Sequence, residues 1–129
     1  MRSAMLAAAG LAVSMSGAVA EDIRIGVLYD LSGPLAAAGS IASSMGAHIA
    51  IDMVNEKGGV LGKHKIVPIS ADAQSKADVA INEAERLLSA EKAEILLGVF
   101  SSAHCVPLSA KVDAVLETMR RGDCIDIDA

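Results

Sequence analysis

Ser101 and Ser102 are the residues of this sequence best placed to do chemistry, because they follow the short apolar run ILLGVF and open a segment patterned as a helix. At such a junction, free backbone N–H groups and the positive end of the helix dipole face outward, a geometry that attracts a carboxylate. A hydroxyl there either bonds the anionic end of a ligand or caps the helix, and the residues alone leave both uses open. Nucleophilic catalysis is disfavoured: neither serine sits in a glycine-flanked GxSxG elbow, and no Asp–His pairing is visible. Gly58 to Lys65, GGVLGKHK, approaches the phosphate-binding pattern GxxxxGK[ST]. It has Lys57 where the first glycine is needed and His64 where Ser or Thr is needed, and it follows a helix instead of a strand. His48, His64 and His104 are scattered, and neither HExxH nor CxxC occurs, so no metal site or other cofactor is expected. Arg121, Gly122 and Asp123 spell an adhesion tripeptide that short sequences contain by chance.

Three strand–helix units position these residues. Ile23 to Tyr29, IRIGVLY, is apolar, too short for a helix and bracketed by charge and turn formers, which predicts a buried parallel strand. Ser40 is a plausible N-cap for a helix through about Asn55, with Ile41, Met45, Ile49 and Met53 on its buried side and Gly58 and Gly59 ending it. Lys65 to Ala71 is the second strand. Pro68 has no amide hydrogen for a ladder, so this strand belongs at an edge. Ser75 and Asp78 form a capping-box pattern ahead of Ala80, Ile81, Ala84, Leu87 and Leu88, which share one helical face. Ile95 to Phe100 is the third strand, and a third helix runs from about Ala103 to Arg120. The expected class is therefore α/β: a parallel sheet of three or four strands with flanking helices and order 2-1-3. Ligands of such sheets bind beyond the carboxyl ends of the strands where the order switches, here at Asp30 to Ser40 and Ser101 to Cys105.

The totals narrow the partners. The chain has 129 residues, formal charge −5, one Tyr, one Phe and no Trp. It therefore lacks both the basic footprint and the stacking platforms of a nucleic-acid binder. Residues 1–20, MRSAMLAAAGLAVSMSGAVA, place Arg2 before an uncharged apolar run and end in small residues, the pattern of a signal peptide cleaved between Ala20 and Glu21. The run is shorter than the roughly 20 apolar residues a spanning helix needs. The remainder would carry ten basic and sixteen acidic side chains, a formal −6, and be soluble. Cys105 and Cys124 would then lie in a compartment that permits a disulfide, although two unpaired small residues satisfy the sequence equally well.

EDIRIGVLYDLSGPLAAAGS, VNEKGGVLGK and VFSSAHCVPLSAKVDA together resemble the first lobe of the branched-chain amino-acid (leucine/isoleucine/valine) binding proteins of ABC transporters, over about Glu21 to Ala114. The resemblance implies a partial type I periplasmic-binding-protein lobe. It also implies an exported, periplasmic, non-enzymatic protein that binds an amino acid and delivers it to a membrane permease. By the same resemblance Ser101, Ser102 and Ala103 contact the ligand's charged end. Ala36, Ala37 and Ala38 stand where relatives often place an aromatic, so side-chain selectivity does not carry over. The lobe disulfide of the best-known relatives has no match, Ala73 and Phe100 occupying its neighbourhoods. After Asp113 and Ala114 the family continues into further strands and a second lobe, whereas residues 115–129, VLETMRRGDCIDIDA, diverge. The expectation is a truncated or frame-shifted member that binds ligand weakly or not at all, since one lobe supplies half of a closing cleft. Two alternatives are a lone lobe that docks on a partner without ligand, and a small exported serine hydrolase.

Overall fold

Strand β1 (Ile23–Tyr29) lies at the centre of a three-stranded parallel sheet in the computed structural model, which describes residues 21–121 and their side chains as far as Ala114. The signal segment 1–20, Cys124, the RGD glycine and aspartate, the alternating CIDID and the packing of Val115, Leu116 and Met119 lie outside what is described. β2 (Ile66–Asp72) pairs with β1 from Ile23↔Ile66 to Tyr29↔Asp72. β3 (Ile95–Gly98) pairs on the other side from Ile25↔Ile95 to Leu28↔Gly98. The order β2-β1-β3 puts the Pro68 strand at an edge, as its missing amide hydrogen requires. α1 (Ile41–Glu56), α2 (Ala77–Ser89) and α3 (Ser102–Arg121) complete the alternation, α1 leaving through Gly58 and Gly59, both at positive φ. Among the described residues no helix is long and apolar enough to cross a membrane.

The core sits between β1 and α2. Val27 and Leu28 are buried from the sheet, and Ala80, Ala84, Leu87 and Leu88 from α2, with Ile81 packed beside them. Leu108 brings α3 onto the same cluster. The face expected for α2 is the face it uses.

For α1 the expectation fails. Ile41, Met45, Ile49 and Met53 are between 43% and 60% exposed, and the helix buries Ser40, Ser44 and Ile51 instead. Hydrogen bonds at its two ends decide this. Asn55 donates from Nδ2 to the Ile66 carbonyl and accepts the Ile66 N–H on Oδ1, both at 2.8 Å, while Ser40 Oγ accepts the Asp30 N–H at 2.8 Å. Positions 40, 44, 51 and 55 share one face of a 3.6-residue helix, and the stripe 41, 45, 49, 53 lies roughly 130° further round. A different side of α1 borders an apolar groove of about 390 Å³, where Ile51 and Val54 meet Tyr29, Ile66 and Leu97.

Three other expectations are corrected. Ser40 does not cap α1: its backbone is already helical, since the chain coils from Pro34 through a wide turn, Ala36–Ser40, kinked at Gly39. Ser75 does not cap α2 either. It has φ +57, and Lys76, without a side-chain bond, occupies the cap position. β3 stops at Gly98, two residues early, because Gly98 and Val99 both turn to positive φ. As an edge strand with one neighbour it is also mostly exposed, unlike β1.

Candidate functional site

Three loops gather at the carboxyl ends of the strands: residues 30–40 after β1, 73–76 after β2 and 99–101 after β3. The hub is the Asp72 carboxylate at the end of β2. Its Oδ1 accepts the N–H groups of Leu31 at 2.8 Å, Ser32 at 3.2 Å and Gln74 at 2.8 Å, and its Oδ2 accepts the Ser32 hydroxyl at 2.7 Å. Ser75 continues the weave: its hydroxyl accepts the Leu35 N–H and donates to the Ser32 carbonyl, both at 3.0 Å, and its own N–H donates to Asp30 Oδ1 at 2.8 Å. Gly33 makes this approach possible, because at φ +77 a Cβ would stand 2.7 Å from Ser75 Oγ and 2.9 Å from the Gln74 carbonyl oxygen. The Ser-Gly-Pro turn after β1 is therefore held in place by the loop after β2.

Partial burial pushes the Asp72 carboxyl up, but the Ser32 hydroxyl and the Gln74, Leu31 and Ser32 amides outweigh it and hold the group below its ordinary value. The unfolded chain then binds the proton more readily than the folded one. The stability this contributes is present above about pH 4 and is lost as pH falls through the depressed folded-state value. Asp72→Asn is expected to lower stability by about 1–2 kcal/mol at pH 7, with the gap to wild type narrowing by about pH 3. Urea unfolding at the two pH values checks this.

Ser101, Ser102 and Ala103 lie together at the start of α3. Ser101 is half-buried and its carbonyl accepts the N–H groups of His104 and Cys105, each at 3.0 Å; Ser102 and Ala103 are exposed. The amides of Ser102 and Ala103 precede the first helical bonds. Among the described residues neither serine hydroxyl has a hydrogen-bond partner, so neither is engaged as a cap. The two segments expected to meet do so. The Phe100 ring lies over Gly39, its Cζ 3.3 Å from where a Cβ would stand, and His104 Nδ1 comes within 3.7 Å of Asp30 Oδ1.

Asp30 and His104 lie in the two segments expected at the switch in strand order, but their approach to each other, and the bonding roles of Asp72 and Ser75, had no local signal beyond the density of Asp and Ser after strands one and two, since their partners lie many residues away. Cys105 is exposed, and no cluster of metal-ligating side chains occurs among the described residues. A groove of about 420 Å³ at the opposite end of β1, lined by Asp22, Val60, His64 and Glu94, contains none of the Ser101–Ala103 turn.

Known proteins share this fold. Residues 22–116 match the family described as periplasmic binding protein. The chain is 42% identical over 106 residues to Leu/Ile/Val-binding protein homolog 7 of Brucella suis, covering 81% of this chain and 26% of that protein. Homolog 8 of Brucella abortus is 36% identical over 111 residues, covering 83% and 27%. Among solved structures, the branched-chain amino acid transporter substrate binding protein LivJ of Streptococcus pneumoniae, in complex with isoleucine, superposes with a TM-score of 0.68 at 29% identity. That match covers 73% of this chain and 26% of LivJ. The leucine binding protein LivK of Thermotoga maritima gives 0.55 at 26% identity, covering 68% and 24%. The chain thus spans about a quarter of the length of the curated relatives it matches. With a 2-1-3 parallel sheet, a Ser-Gly-Pro turn after β1 and a serine pair opening α3, all inside the matched residues, this chain belongs to the periplasmic binding protein family.

Proposed function

We propose that the protein is a solute-binding component of an ABC transport system, that it takes a branched-chain amino acid, and that Ser101, Ser102 and Ala103 receive the ligand's carboxylate. The observation that carries this reading is the unengaged start of α3: two hydroxyls without partners among the described residues and two amides ahead of the first helical bonds, beside the turn after β1. A carboxylate meets hydrogen-bond donors and the helix dipole there at once. The relatives named for leucine, isoleucine and valine, and the isoleucine in the Streptococcus structure, supply the ligand class. The protein acts as a carrier and not as an enzyme, and its partner is a membrane permease.

Residues 1–20 serve as an export signal cut between Ala20 and Glu21, which puts the product in the periplasm. Mass spectrometry of secreted material is expected to find Glu21 at its amino terminus; a product retaining Met1 would refute the cleavage.

Thermal unfolding of the protein with and without leucine, isoleucine or valine tests the binding reading. A ligand that binds only the native state raises the midpoint in proportion to RT ln(1 + [L]/Kd), about 2.7 kcal/mol at a hundredfold excess over Kd. An upward shift that Ser102→Ala reduces is the expected result. No shift at about 10 mM of any of the three would sink the reading.

A further inference from the structure

We propose that Asp30 and His104 are positioning residues for the ligand-facing turn of α3, and that the proton on His104 sets the distance between them. The proposal rests on the solute-binding reading and adds a regulation to the same site. His104 is 7% exposed and Asp30 1%. His104 Nδ1 is the one buried side-chain nitrogen or oxygen among the described residues without a hydrogen-bond partner. It stands 3.7 Å from Asp30 Oδ1, beyond hydrogen-bond length.

A neutral imidazole that turns an unprotonated Nδ1 to this carboxylate sets acceptor against acceptor. An imidazolium is a donor at both nitrogens, and closing the gap by roughly 0.9 Å would give a charge-assisted bond. Histidine is the side chain that changes charge near neutral pH.

The carboxylate is the fixed partner. Ser75 N–H holds Asp30 Oδ1 at 2.8 Å, and the Asp30 N–H is tied to Ser40 Oγ at 2.8 Å. Movement therefore falls on the histidine, whose own N–H bonds the Ser101 carbonyl at 3.0 Å, so Ser101 to Ala103 travel with it. Charged groups on the neighbouring elements are engaged elsewhere or exposed. From α2, Glu85 pairs with Lys111 of α3 and Glu83 with Arg86, while Lys76 and Asp78 face solvent. From β2, Asp72 is occupied by Ser32 and the three amides. A protonated His104 also adds positive charge behind the amides that face a ligand carboxylate, in the sense of the helix dipole. Leucine affinity should therefore be about threefold higher with His104 protonated than with it neutral.

Nitrogen-detected NMR of the ligand-free protein, titrated between pH 8 and pH 5, tests the pair without requiring ligand. The Ser102 and Ala103 amide shifts are expected to follow the His104 imidazole with one midpoint. In His104→Gln they should stay flat, and in Asp30→Asn they should no longer follow the imidazole. Amides that ignore His104 in the wild type, or that still titrate in His104→Gln, overturn the proposal. Should a variant fail to fold, the wild-type titration decides alone. Calorimetry with leucine at pH 5 and pH 8 separates the two readings: binding without amide coupling removes the Asp30–His104 device only, whereas coupling without binding at either pH removes the solute-binding reading on which it rests.

Discussion

Leu87→Ala is expected to destabilise the protein by about 2–5 kcal/mol, the range for emptying a fully buried leucine site. Leu87 has no exposure and lies where α2 meets β1, in the cluster with Leu28, Ala84 and Leu108. Small domains sit toward the low end of the 5–15 kcal/mol usual for folded proteins, so this loss is a large share of the total. The comparison that gives the measurement its force is Ile49→Ala. Ile49 was expected to be buried from its spacing, yet it is 57% exposed on α1, and its truncation should change stability by no more than about 0.5 kcal/mol. Urea unfolding of both variants, with unchanged slopes, would show a large midpoint drop for the first and almost none for the second. Equal losses would mean that α1 presents its apolar stripe inward after all.

Gly98→Ala should do comparable damage, and do it at the site. At φ +129 an L side chain is strained wherever it points. Here a Cβ would also collide with the carbonyl oxygen of Leu28, stand 2.9 Å from its carbonyl carbon and press on the Tyr29 ring. Backbone of the central strand cannot yield as a flexible side chain would. The Val99 N–H, which donates to that same Leu28 carbonyl at 2.8 Å, would be displaced, and with it the path through Phe100 to Ser101. A loss of about 3 kcal/mol is expected, together with a ligand response weaker than the lost stability alone would explain. Gly46→Ala is the control: it lies within α1 with nothing within 4 Å of its added Cβ, and it should gain up to about 1 kcal/mol from helix propensity. Thermal melts of the two variants, with and without leucine, distinguish a specific clash at Gly98 from a general intolerance of glycine replacement.

Much of the frame was legible because its causes are local. The apolar runs at Ile23–Tyr29 and Ile95–Phe100, too short for helices, yielded strands, the second ending at Gly98; Pro68 barred its strand from the centre; and the spacing of Ala80, Ala84, Leu87 and Leu88 named the buried face of α2. From alternation and an edge strand follow the 2-1-3 order and the meeting of the segments after β1 and β3, since right-handed crossovers leave few other arrangements. The serine pair at the start of α3 was visible for the same reason.

Tertiary structure decided the rest. Ser40 and Ser75 carry the composition of helix caps, but a hydroxyl bonds whichever amide the fold brings to it: Asp30 reaches Ser40, and Leu35 reaches Ser75 from 40 residues away. The Asp72 hub joins residues about 40 apart, and the Asp30–His104 approach joins residues 74 apart. No periodicity or spacing encodes such bonds. The stripe Ile41, Met45, Ile49 and Met53 satisfied the local rule for a buried face, yet the anchoring of Asn55 on Ile66 and of Ser40 on Asp30 turned it outward. Sequence alone thus determined the kind and order of the elements and which two segments meet at one end of the sheet. Only the folded chain decided which helix face is covered and which side chains hold the site, because those outcomes depend on hydrogen bonds between groups that become neighbours only after the sheet has formed.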